Sequence, residues 1–213
     1  MTVRVAVGRN DGSSRGFPEL LRGLLPRVSL FLEPFLQSLS GPEQKQHAAE
    51  YTTGLLSGQE HKMGEGIAYL YDQDRHGIQK FVGQVPRDHQ PFVRTLAVQV
   101  GVELGEADGV IVFDPSAFPK KCDKSVGVAK QWCGCLGKVE SCQVGVYMAY
   151  VTRKEHAIVN TRLYLPKEWA KDHRRRKQVE VPKSIKFCTP NQLALEMLSG
   201  WGGGPAAHVD RGG

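Results

Sequence analysis

No apolar run in this 213-residue chain approaches the roughly 20 residues needed to cross a bilayer. The opening stretch, MTVRVAVGRNDGSSRG, lacks the continuous apolar core of a signal peptide. The expectation is a cytoplasmic protein with no membrane partner. Cysteines are few and odd in number, five in all, which argues against the paired framework of a small secreted domain. Cys133, Cys135 and Cys142 lie close together with Cys122 nearby, but the spacing is C-x-C and no second close pair follows. Buried, reduced thiols are the reading, with a structural zinc module as the alternative. His156 and His173 have no partner at ligand spacing and read as surface residues.

Composition is otherwise that of an ordinary globular protein, 40% hydrophobic and 23% charged. The length suffices for one large domain or two small ones with real cores. The net charge of +6 is unevenly placed. Between Lys120 and Lys177, 14 Lys/Arg stand against 5 Asp/Glu, so the remainder of the chain is net negative. A basic segment of this kind favours an anionic polymer as partner, because cations set against phosphates release condensed counterions.

Residues 1–16 are polar, without clear period, and read as a loose tail. Residues 17–106 read as helical. Ser40-Gly41-Pro42-Glu43 resembles a helix start with Ser40 as N-cap and Glu43 closing a capping box. Phe92, Leu96 and Val100 recur at helical spacing behind a capping Asp88. Nothing in this half has the spacing of a catalytic site, so it reads as a packing or DNA-docking module.

The pattern changes at Gly109. Val110-Ile111-Val112-Phe113 is a short apolar run ending on Asp114, expected as a strand buried on both faces. A lysine-rich loop with Lys120, Lys121 and Lys124 follows at once. Gln143–Thr152 and Ala157–Leu165 are two further strands, joined by a hairpin-sized connection and therefore antiparallel neighbours. After a basic excursion from Lys167 to Lys186, Asn191–Leu198 reads as a helix whose Leu193, Leu195, Met197 and Leu198 can pack on the sheet. Residues 199–213 form a glycine-rich tail.

Three strands and a helix, the first strand ending on aspartate, match the opening half of a ribonuclease-H-like domain. The block Asp114-Pro115-Ser116-Ala117-Phe118-Pro119-Lys120-Lys121-Cys122, continued by Ser125-Val126-Gly127-Val128-Ala129-Lys130-Gln131-Trp132-Cys133-Gly134, Leu136-Gly137-Lys138 and Ser141-Cys142-Gln143, makes the likeness specific. Gly54-Leu55-Leu56-Ser57 upstream and Arg162-Leu163-Tyr164-Leu165-Pro166-Lys167-Glu168-Trp169-Ala170 downstream extend it. On these residues the segment from about 44 to 198 resembles the amino-terminal part of a DDE-type insertion-sequence transposase. Two departures stand out: Cys122 replaces a glycine, which would strain a turn needing positive φ, and Ser141 replaces an asparagine.

The resemblance implies an α/β fold, a helical amino-terminal region (17–106) followed by an incomplete ribonuclease-H-like mixed sheet (107–198). It implies Mg²⁺-dependent cleavage and strand transfer at the ends of an insertion element, with DNA as partner and self-association in a transposition complex. Asp114 becomes the first member of a metal-binding acidic set. Lys120, Lys121 and Lys124, and the denser run Arg174, Arg175 and Arg176, become DNA-backbone contacts. Trp132, Tyr164 and Trp169 are candidates for base stacking, with buried packing as the alternative. The family's second aspartate and its glutamate have no counterpart, and Asp210 sits in an unsuitable context. The expectation is a truncated chain, inactive alone, with an unpaired strand edge and an uncovered apolar face. The alternative is a non-catalytic DNA-binding remnant that interferes with an intact transposase.

Overall fold

The computed structural model describes residues 19–83, 87–122 and 124–201. The expected loose amino-terminal tail and Asp210 lie outside these residues. The chain divides into two compact units, Met1–Thr95 and Leu96–Gly213.

The first unit is helical. Its described elements are α1 (Glu19–Leu36), α2 (Pro42–Leu55), α3 (Gly64–Leu70), α4 (Arg75–Gly83) and the start of α5 (Gln90–Leu104). Leu32, Leu36, Leu39, Ala49 and Phe81 make one core, to which Phe92 adds. Ile67, Ala68 and Ile78 make a second. The Asp88 side chain accepts the Gln90 N–H at 2.9 Å, as expected of a residue opening α5. The capping box expected at Ser40 does not form: Gly41 is the N-cap, without a side-chain bond, and Pro42 alone favours the start. Gly54 on α2 is required by packing, since a Cβ there would stand 2.5 Å from Ile67 Cγ2.

The second unit is a mixed α/β arrangement built on four antiparallel strands: β1 (Val110–Pro119), β2 (Ala129–Cys133), β3 (Lys138–Val151) and β4 (His156–Leu163). β1, β2 and β4 all pair with β3. β1 and β4 both run beside residues 145–151 of β3, so they occupy its opposite edges. Three short helices follow, α6 (Lys167–Lys171), α7 (His173–Gln178) and α8 (Pro190–Gly200). Val146, Met148 and Tyr150 of β3, Val159 of β4, and Leu193 and Met197 of α8 form the core, joined by Val100 of α5. α8 is held at its start by a reciprocal capping box between Thr189 and Gln192.

Four sequence expectations change here. β1 is a ten-residue strand rather than a short one, and Asp114 lies in its middle. It is not buried on both faces either: Ile111 and Phe113 pack on the core while Val110 and Val112 face outward. The alternation marks a half-covered edge strand, for which an apolar tetrapeptide is no contradiction. Leu195, expected on the sheet, is 65% exposed because the turn of α8 carries it away from Leu193 and Met197. Finally β3 starts five residues earlier than the sequence pattern suggested, extended by pairing with β2.

Gly54→Ala is expected to lower stability by about 1–3 kcal/mol through overpacking against Ile67, measured by urea denaturation. An unchanged midpoint would show that α2 and α3 do not approach as described.

Candidate functional site

Asp114 projects from the middle of β1 on the face opposite Ile111 and Phe113, with Tyr147 of β3 as its register partner. It is exposed. One carboxylate oxygen accepts the Ser116 hydroxyl at 3.2 Å, a neighbour on the same face two residues on. Beside it lies a cavity of about 410 Å³ lined by Asp114, Pro115, Ala117, Trp132, Cys135 and Val144, together with Ser116 and Gly134. Its far wall comes from the end of β2 and the single 3-10 turn Gly134–Leu136. The Cys135 thiol reaches the Ala117 carbonyl at 3.7 Å, and the Cys133 and Cys135 sulfurs stand 3.4 Å apart. All five cysteines are free. The Cys133 neighbour pushes the Cys135 thiol above its ordinary pKa.

The lysines are not beside Asp114, as the sequence suggested. Lys120 follows the last residue of β1, six residues beyond Asp114. At about 3.3 Å per extended residue that places it about 20 Å along the strand. Lys121 and Lys124 come after it. Among the described residues no ion pair engages Lys120, Lys121 or Lys124, unlike Lys130 and Lys138, which both pair with Glu140. These partners, Lys130 foremost, hold the Glu140 carboxyl at about 2.

Arg174, Arg175 and Arg176 share α7 but not their surroundings. Asp172 caps the helix by accepting the Arg175 N–H. The Arg175 guanidinium lies 3.7 Å over the Trp169 ring. Arg176 donates to the carbonyls of Ala170, Pro182 and Ile185 at 3.2, 2.8 and 2.6 Å, which ties the following loop to the helix. Arg174 is exposed.

The three aromatic candidates also separate. Trp169 is fully buried and its indole N–H donates to the Val128 carbonyl at 2.8 Å. Tyr164 is half-buried and meets Phe187 edge-on. Trp132, in contrast, is 63% exposed and lines the Asp114 cavity. Sequence reading did not connect Trp132 to Asp114. The signal was the period-two pattern of Ala129–Cys133, which sets Lys130 and Trp132 outward and Cys133 inward.

Much of the long sequence block proves to be scaffold. Gly127 has a φ of +80°, and a Cβ there would stand 2.9 Å from the Tyr164 carbonyl. Gln143 donates to the Val126 carbonyl and Trp169 to that of Val128. The strain expected at Cys122 is absent: it does not have positive φ, which among described non-glycine residues belongs to Asp72 and Glu180. Hydrogen bonding to Ser125 instead lowers the Cys122 pKa.

A mixed α/β unit of this kind, with a carboxylate exposed on its first strand, an antiparallel meander and a helix packed on one face, has the opening architecture of the ribonuclease-H-like fold. The family model described as DDE superfamily endonuclease matches residues 34–209, most of the chain, and the chain belongs to that family. No curated protein and no solved structure matches it. Enzymes of this family act on nucleic acid and in general use divalent metal ions. Such chemistry, with two ions about 4 Å apart, needs several carboxylates converging on one place. Among the described residues no three or more His, Cys, Asp or Glu side chains are grouped to hold an ion. Asp114 supplies one carboxylate, and the described residues do not fit a two-ion centre by themselves.

Two outcomes follow for the region around Trp132. Gly127→Ala is expected to cost about 1–3 kcal/mol for its left-handed backbone, read by denaturant unfolding; a neutral result would reject the close approach to Tyr164. The Glu140 carboxyl titrates near 2, below its ordinary value of about 4.3. Its ion pairs therefore contribute fully above about pH 4.3 and are lost as the pH falls toward 2. In Lys130→Met its NMR titration midpoint moves upward, though not the whole way, because Lys138 and the Ser141 amide remain. A fixed midpoint would remove Lys130 as the cause.

Proposed function

We propose that this chain carries the first carboxylate and part of the DNA-binding surface of a transposase that cuts and joins the ends of an insertion element with Mg²⁺. The observation that carries the reading is Asp114: an exposed carboxylate on the first strand of a ribonuclease-H-like sheet, in a chain of the DDE superfamily endonuclease family. In this reading Asp114 is a metal ligand, and the ion it helps to hold would stabilise charge on the oxygens of the phosphodiester. Ser116 orients the carboxylate through its 3.2 Å hydrogen bond.

Lys120, Lys121, Lys124 and Arg174 are the phosphate contacts best placed for the task, since they are exposed or half-exposed and have no ion pair among the described residues. Arg176 contributes chiefly by anchoring the loop after α7, and Arg175 by covering Trp169. A separation of about 20 Å along β1 corresponds to about six base pairs at 3.4 Å each. The lysines therefore grip the backbone about half a helical turn from the bond that Asp114 attends.

For this chain by itself we propose DNA binding without turnover, a reading favoured by the lack, among the described residues, of any group of three or more His, Cys, Asp or Glu side chains that could hold an ion. Such a chain would compete with an intact transposase for DNA.

The purified chain is expected to bind duplex DNA with an affinity that falls steeply with salt. Replacing Lys120, Lys121 and Lys124 with alanine should flatten the log–log salt slope by about one unit per lysine. Salt-insensitive binding, or none, would remove the DNA reading. With Mg²⁺ present no nicking is expected. Nicking that disappears in Asp114→Ala would uphold the role of Asp114 and overturn the inactivity, whereas nicking that survives the substitution would reject Asp114 itself.

A further inference from the structure

We propose that Trp132 is a stacking platform for an unpaired nucleobase, and that the cavity beside Asp114 takes this base from a frayed or single-stranded DNA end. The inference rests on the DNA-processing reading above and adds to it the substrate feature this site recognises.

All three tryptophans lie in the second unit, and Trp201 packs partly buried against its core. Trp169 has no exposed surface, a partner for its N–H and a guanidinium over its ring. Trp132 is 63% exposed, on a short strand whose neighbouring inward residue, Cys133, is fully buried. Exposed apolar side chains are common on protein surfaces, but an indole leaves a large flat face on which a planar group can bury favourable area. Trp132 is also not on an open convex surface. It forms one wall of the cavity whose other side is β1, from Asp114 to Ala117.

The chemistry of that cavity selects the ligand. Pro115, Ala117, Val144 and Trp132 offer apolar surface, while Asp114 is the single ionisable carboxylate among the lining residues. A phosphate without a cation is repelled by Asp114, so the sugar–phosphate backbone stays at the rim and the flat base enters. A volume of about 410 Å³ lies near the lower end of the roughly 300–1,000 Å³ of small-molecule sites. It holds a base, not a duplex. A paired base keeps both faces inside the stack, so only an unpaired or extruded base can lie on the indole. Lys130 shares the outward face of β2 with Trp132, but its ammonium is held by Glu140 at 2.8 Å. Recognition at this spot is therefore by stacking and not by charge, in contrast to the lysines after β1.

The test uses the full chain, without metal, and two DNA duplexes of one sequence. One is blunt; the other has a short single-stranded overhang containing 2-aminopurine, whose fluorescence falls when it stacks. The wild-type chain is expected to quench the overhang probe and to bind it more tightly than the blunt duplex. The advantage should be about 5- to 150-fold, the range for one stacked base. Trp132→Ala should lose both the quenching and the preference, and Trp132→Phe should keep part of each. Because Trp132 is exposed, thermal unfolding of both variants should match wild type, which separates loss of stacking from loss of fold. Quenching and preference retained in Trp132→Ala would overturn the proposal. A wild-type chain that binds both duplexes equally would overturn it too, while leaving the DNA-processing reading intact. A chain that binds neither duplex would reject both.

Discussion

Every strand–strand hydrogen bond in the second unit runs to β3. This one strand of fourteen residues is the shared partner of β1, β2 and β4, and its alternation decides which face each side chain takes. Val146, Met148 and Tyr150 turn toward α8 and fix that alternation by burial. Asp114, paired with Tyr147, is outward because Phe113, paired with Met148, is inward. A slip of one residue would exchange the two, burying a carboxylate and exposing a phenyl ring. The position of the chemical group is thus a by-product of packing on the far side of the sheet. A bulge between Met148 and Ala149 on the β4 side lets both Val159 and Asn160 be buried in succession.

A second constraint joins two stretches that lie far apart in sequence. The loop from Ser125 to Val128 would leave carbonyls without partners under the sheet, and side chains from elsewhere meet them: Gln143 at Val126, Gln131 at Gly127 and Trp169 at Val128. Trp169 in turn is shielded by Arg175. The residues that make the sequence block so distinctive are in good part the ones that hold this loop. A long family-like block can reflect shape as much as catalysis, and here the chemical group within it is Asp114.

The sheet was legible in the sequence to the extent that burial wrote it. β3, β4 and α8 stood out because their apolar residues recur at strand or helix period and meet in one core. β2 did not, because its five residues alternate about exposed Lys130 and Trp132 and only Cys133 is buried. The true length of β1 was hidden by Pro115 and Pro119, residues that ordinarily punctuate strands. That hidden length matters most for the site: a strand running on to Pro119 carries the lysines about 20 Å away from Asp114. The arginine run was visible as charge, but sequence could not tell Arg176, which holds three carbonyls, from Arg174, which is exposed and holds none among the described residues. Likewise Trp132 and Trp169 are the same residue type, each within a stretch that carries the family likeness, and only the fold separates them.

The free side of β1 has a polarity of its own. Lys120 donates its N–H to the Ser141 carbonyl at 2.9 Å, so in this antiparallel register the even-numbered amides of β1 face β3 and the odd-numbered ones face away. The odd positions are Ile111, Phe113, Pro115, Ala117 and Pro119, and two of them have no N–H. Near the cavity the Ala117 carbonyl is approached by Cys135. Any strand added along this edge would find a full ladder only beside Val110–Asp114, and past the carboxylate it would meet a single N–H, that of Ala117, between two prolines. Asp114 therefore marks the point where the edge changes from one that can recruit another strand to one that resists it.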